Sequence, residues 1–144
     1  MQTKWKVLLI TLVVGLPAFL LGPMLWPPSG GMAPTPGQLP FFIAISAVEA
    51  LAFGIGIAFL IYGWKMVKMV QKDAKVQGWL LCIAIAWGLI SWWPHDNMHI
   101  SNGENMQRLL YIEYGFHLTL VVCAFIVAYS FFTFIRHYHS GVAR

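Results

Sequence analysis

Six side chains carry the chemistry this sequence could do: Glu49, His95, Asp96, His99, Glu113 and His117. His95 and His99 stand four apart, and so do Glu113 and His117. On a helix, residues at that spacing share one face. Neutral imidazole and carboxylate together suit zinc, copper or iron. Each pair could supply half of a metal site, with Glu49 or Asp96 as a further ligand or as the acceptor that fixes an imidazole. Met98 adds a soft donor between the two histidines. Haem suits the pattern less well: His117 with His95 or His99 could be axial ligands, but their depths differ by about two turns. The same groups could pass a proton along Asp96, His99, Glu113, His117 and Glu49. The apolar stretch beyond them argues for a pocket open to one side rather than a relay across the membrane.

These residues are informative because of where they lie. The 144-residue chain is 59% hydrophobic and 10% charged, with mean hydropathy +0.70. Soluble domains carry about a quarter charged residues, so the composition is that of an integral membrane protein forming one domain. Glu49 lies within the apolar run 41–64 and His117 within 109–135. An ionisable residue at the bilayer centre costs at least about 2.5 kcal/mol and marks function by default. The net charge of +4 does not indicate nucleic acid, because the cations flank apolar runs instead of forming a soluble patch.

A membrane-spanning helix needs about 20 mostly apolar residues. Four segments qualify: 5–26, 41–64, 78–93 and 109–135, the third being short. Between them lie a Pro-rich outer loop (27–40), a basic inner loop (65–77) and a second outer loop (94–108), with a tail at 136–144. The expected fold class is therefore an all-α four-transmembrane-helix bundle. Lys4, Lys6, Lys65, Lys68, Lys72, Lys75, Arg136 and Arg144 all fall on one side, and only Arg108 on the other. The positive-inside rule then puts both termini in the cytoplasm and the histidines in the outer half. Lys4 and Lys6 before an apolar stretch also resemble a signal peptide, but no small-x-small cleavage site follows, so a retained helix bent near Pro17 or Pro23 is expected.

Counting from the span edges at 1.5 Å per residue, Glu49 and His117 both lie about 12 Å deep. Glu113 is one turn above His117, so these three converge if the second and fourth spans face each other. Pro94 predicts that His95–His99 open a short new helix, with Asp96 in its first turn. Ser101-Asn102-Gly103-Glu104 matches a capping box, which predicts a helix start there. Ser46, Ala50, Gly54 and Ala58 form a small-residue stripe suited to close helix packing, within the bundle or in a homo-oligomer. Trp5, Trp26, Trp64, Trp79, Trp92 and Trp93 fall at span ends and read as interfacial anchors. Cys82 and Cys123 read as small buried hydrophobes, and His137 and His139 as a polar helix end.

These residues lead to a multi-pass protein of a plasma membrane, prokaryotic in type, with an outward His/carboxylate pocket that binds a transition metal. A redox, metal-handling or metalloenzyme role would follow. No His-Glu-x-x-His or Cys-x-x-Cys motif accompanies the pocket. The alternative is a non-catalytic accessory subunit of a larger membrane complex, in which Glu49 and His117 hydrogen-bond each other. A third reading makes Glu49 and His117 the acid and base of a lipid-modifying enzyme, which requires an apolar cavity beside them.

Overall fold

Apolar residues run around each predicted span with no polar face, as expected of helices that must satisfy every backbone group internally in lipid. A computed structural model describes residues 3–30, 33–70, 75–103 and 105–142. It is all-helical: α1 (Thr3–Leu25), α2 (Leu39–Val70), α3 (Lys75–Ile90), α4 (Trp92–Asn102) and α5 (Met106–Val142). Four helices are long and apolar enough to cross a membrane: Thr3–Leu25, Leu39–Lys68, Lys75–Asn102 and Gln107–Arg136. The chain therefore has the architecture of a multi-pass membrane protein. Both Pro17 and Pro23 lie inside α1.

The third span is α3 and α4 together. Pro94 has no N–H to give the Ile90 carbonyl, and the helical run is interrupted at Ser91. It resumes at once, because the His95 N–H donates to the Ser91 carbonyl at 3.2 Å. The short helix expected at His95–His99 thus forms and runs on to Asn102, and the rings of His95 and His117 stand 5.6 Å apart, at one depth. The real link is only residues 103–105. Gly103 adopts φ 55° and ψ −124° at the end of α4, a conformation that strains any residue with a Cβ. Asn105 then caps α5, its side-chain oxygen accepting from the Arg108 N–H at 3.1 Å. The capping box expected at Ser101 does not form from that residue: Ser101 belongs to α4, and its hydroxyl donates back to the Met98 carbonyl at 3.4 Å. Glu104, its intended partner, lies outside the described residues, as do Lys72 and Arg144. Half of a capping box does occur in the Pro-rich loop, where the Gln38 N–H donates to the Thr35 carbonyl instead of its hydroxyl. Gln38 Oε1 accepts from the Thr35 N–H at 3.1 Å and from its hydroxyl at 2.9 Å, just before α2.

The bundle is open. α1 packs on α2, α2 on α3, and α3 on α5, while α4 touches α2, α3 and α5. Among the described residues, α5 has no comparable packing against α1 or α2. Small residues make the first seam. Thr11, Gly15, Ala18 and Gly22 are buried on α1, and Ala50 and Ala58 on α2. A Cβ on Gly54 would lie 2.5 Å from the Thr11 carbonyl oxygen, and one on Gly15 would lie 2.8 Å from that of Ala50. The α2 stripe therefore serves packing inside the bundle. On the second seam, Gly56 admits Leu89 and Ile90, and Val67, Leu81 and Cys82 form a buried cluster below. Both cysteines are free thiols.

Four of the expected tryptophan anchors pack on one another in pairs. Trp93 is buried, with Trp26 edge-on at 4.8 Å and Phe53 also at 4.8 Å, forming an aromatic core with Ala18 and Ala50. Trp64 stacks on Trp79 at 4.1 Å. Trp87 donates from its indole to the Thr119 hydroxyl at 2.9 Å and so ties α3 to α5. The Pro-rich loop is pinned to α4, because Ser29 donates to the Ile100 carbonyl through its backbone N–H at 3.1 Å and its hydroxyl at 3.3 Å. The helix α5 runs through residues expected to be a tail, His137 and His139 included.

Candidate metal centre

After Gly103 the chain turns so that α5 meets α4, and the two pairs of one-turn neighbours come together. His99 Nε2 lies 2.6 Å from Glu113 Oε1 and 3.2 Å from His95 Nε2. His95 Nε2 lies 3.8 Å from the same carboxylate oxygen. Three donor atoms thus fall within 3.8 Å of one another, two from α4 and one from α5. The other oxygen of Glu113 accepts from His117 Nδ1 at 2.7 Å, and the Glu113 carbonyl lies 3.0 Å from the same nitrogen. His95, Glu113 and His117 can also each offer one donor atom within 4.8 Å of the others.

Asp96 sets the tautomer of His95. Its Oδ1 accepts from His95 Nδ1 at 2.7 Å, so the proton sits on Nδ1 and Nε2 keeps its lone pair toward the cluster. A carboxylate holding the far nitrogen of an imidazole is the usual means of aiming such a ligand. Phe116 does the rest, stacking on the His95 ring at 3.7 Å and 17°. Phe116 is itself buried and braced edge-on by Trp92 at 5.0 Å. Sequence reasoning missed Phe116. The available signal was its place three residues after Glu113, on the same helix face.

The expected residues divide into two groups. His95, His99, Glu113 and His117 come together, with Asp96 behind His95. Glu49 does not join them. It lies on α2 beside α4, where it shares a cavity lining with Asp96 and His99. Glu49 and His117 form no hydrogen bond with each other, because α2 and α5 are not packed together. The direct convergence of Glu49, Glu113 and His117 is thereby corrected. Met98 is an exposed residue whose carbonyl accepts from Asn102 at 2.8 Å.

Burial is graded across the cluster. His95 is 9% exposed, His99 28% and His117 58%. The α4 side is closed by Phe116 and the α5 edge is open. The arrangement can bind a cation through nitrogen and oxygen donors with one flank left accessible. Comparison of the chain with family models, with curated proteins and with solved structures finds no match.

Proposed function

We propose that this protein binds a transition metal ion at one end of its membrane-spanning bundle, held by His95, His99, Glu113 and His117 and aimed by Asp96. One observation carries the reading: the Nε2 atoms of His95 and His99 are 3.2 Å apart and converge with Glu113 Oε1. Two nitrogens on a tetrahedral ion, each about 2.05 Å from it, stand about 3.3 Å apart. Oε1 of Glu113, at 2.6 Å and 3.8 Å from the two nitrogens, has to shift by only a fraction of an ångström to share the ion. The proton on His99 Nε2 would leave on binding. Three imidazoles and a carboxylate suit zinc, copper or iron. The exposed edge at His117 favours a site with an open position, as in catalysis or metal transfer, over a closed structural one.

Haem suits this arrangement poorly. Axial imidazoles must approach opposite faces of a flat macrocycle, whereas His95 and His99 are one turn apart on the same helix with a carboxylate between α4 and α5 beside them. Orientation follows from charge: with Lys4, Lys6, Lys65, Lys68 and Lys75 at the other end, the metal centre faces outward from a plasma membrane and both termini are cytoplasmic.

The test is metal analysis of the purified protein after loading with zinc, copper or iron. Wild type should retain stoichiometric metal, and His95→Ala and Glu113→Ala should lose it. A wild type that takes up no metal would overturn the reading. The accessory-subunit reading is favoured by one feature, the open row that leaves α5 with few neighbours. A metal-free wild type that co-purifies with membrane subunits would establish it.

A further inference from the structure

Glu49 is left over by the metal centre, and its surroundings suggest a use. Two cavities meet at this residue. The first, of about 240 Å³, lies between α2 and α4, where Phe42, Ser46, Asp96, His99 and Ile100 line it. The second, of about 490 Å³, runs between α2 and the third span, along Ala44, Val48, Ala52, Gly88, Leu89 and Trp92. Both include Ile45 and Glu49. The larger one has the size of a small-molecule site, typically about 300–1,000 Å³. Apart from Glu49, side chains without charge line it, and Ile45 and Val48 are 58% and 66% exposed, so it opens toward lipid.

Gly88 keeps that groove open. A Cβ there would meet no atom within 4 Å, whereas at Gly56, farther along α2 on the same seam, a Cβ would lie 2.5 Å from Ile90. Gly56 is in contact with Leu89 and Ile90, while Gly88 beside them faces open space. At the end of the gap, the carboxyls of Glu49 and Asp96 offer hydrogen-bond acceptors, and Asp96 is already tied to His95 of the metal cluster. The site is thus apolar along its length and acceptor-rich at one end. Its chemistry matches a molecule with an apolar tail and a hydrogen-bond-donating head.

We propose that the groove between α2 and the third span binds a membrane-borne, single-chain amphiphile whose head group donates hydrogen bonds to Glu49 and Asp96, an alcohol or a primary ammonium. The chain lies along Val48, Ala52 and Gly88, and the head reaches the smaller cavity beside Asp96 and His99. This goes beyond metal binding and does not depend on it, because no ligand of the ion lines the larger groove. The two together would bring the head group of a lipid-dissolved molecule to the edge of a metal centre.

The experiment uses the full chain in lipid nanodiscs and three photoreactive probes with the same diazirine-bearing alkyl tail: a long-chain alcohol, the matching primary amine and the matching methyl ether, which has no donor. The alcohol or the amine should label residues 44–52 and 88–92 at least about tenfold more than the ether. The more strongly labelling of the two identifies the head. Gly88→Leu, which fills open space, should abolish that labelling and leave metal content unchanged. Glu49→Leu should bring the alcohol and amine down to the level of the ether. Labelling should survive chelation of the metal, which separates a failure of this proposal from a failure of the metal reading. Equal labelling by the ether, or labelling that Gly88→Leu does not reduce, would overturn it.

Discussion

The α1–α2 seam and the α4–α5 corner are built on opposite principles. At the seam, Gly15, Gly54, Ala50 and Ala58 remove side chains until backbone meets backbone, and no polar pairing is needed. At the corner, α5 packs little on α4, and two histidine–carboxylate contacts join them, from Glu113 to His99 at 2.6 Å and to His95 at 3.8 Å. In lipid, apolar side chains gain little by leaving the bilayer for one another, so association relies on close packing or on polar contacts. This protein uses the first at one side and the second at the other. The teaching is that the polar corner has two jobs to test: gathering donor atoms, and tying α4 to α5 beside the packing of α5 on α3.

The largest effect should come from breaking the seam. Gly54→Val puts a side chain into the Thr11 backbone, which cannot yield as a flexible side chain would. Overpacking of this kind costs about 1–3 kcal/mol or more, and thermal unfolding in detergent should show a strong loss. Next, Glu113→Ala removes the acceptor that His99 and His117 share. Metal affinity should fall by more than about 100-fold, the upper range for merely orienting groups, and isothermal titration would read it. If α5 also becomes more susceptible to protease at residues 103–105, the corner's docking role is established.

Asp96→Asn separates the two jobs. It keeps the shape of the helix but weakens the hold on His95 Nδ1, so metal affinity should drop about 10–100-fold with little change in unfolding temperature. Gly103→Ala tests the reversal itself. At φ 55° the new Cβ should cost about 1–3 kcal/mol and loosen metal binding by misaligning the two pairs. The smallest effect belongs to Trp87→Phe, which deletes the indole bond to Thr119. Hydrogen bonds between membrane helices average about 0.6 kcal/mol, so only a slight shift in unfolding temperature is expected. A large shift would mean that this bond, and not the polar corner, holds α5.

Much of the candidate site was legible because its logic is local. His95 with His99 and Glu113 with His117 are one-turn neighbours on any helix, and Pro94 marks where a helix restarts. The roles of Glu49 and Trp93 were not legible. A glutamate inside an apolar span announces that it needs a partner without naming it, and Glu49 shares its cavity with Asp96 rather than His117. A tryptophan near a span end fits an interface by position alone, yet Trp93 turns inward onto Trp26 and Phe53. The link at 103–105 was misread for a related reason, since Ser101-x-x-Glu104 fits a cap on paper while Gly103 and Asn105 make the turn.

The sequence by itself determined the helical class, the four spans, the charge asymmetry and the two one-turn pairs, His95 with His99 and Glu113 with His117, since each depends on composition or on the helical period. Tertiary structure alone decided that the pairs face each other, that the third span continues through Pro94, and that the helices form an open row. The physical reason lies in the solvent. A soluble helix advertises its buried face by being polar on the other, whereas a helix in lipid is apolar all around. Its packing face is chosen by small residues and a few polar contacts, and those acquire partners only when the chain is folded.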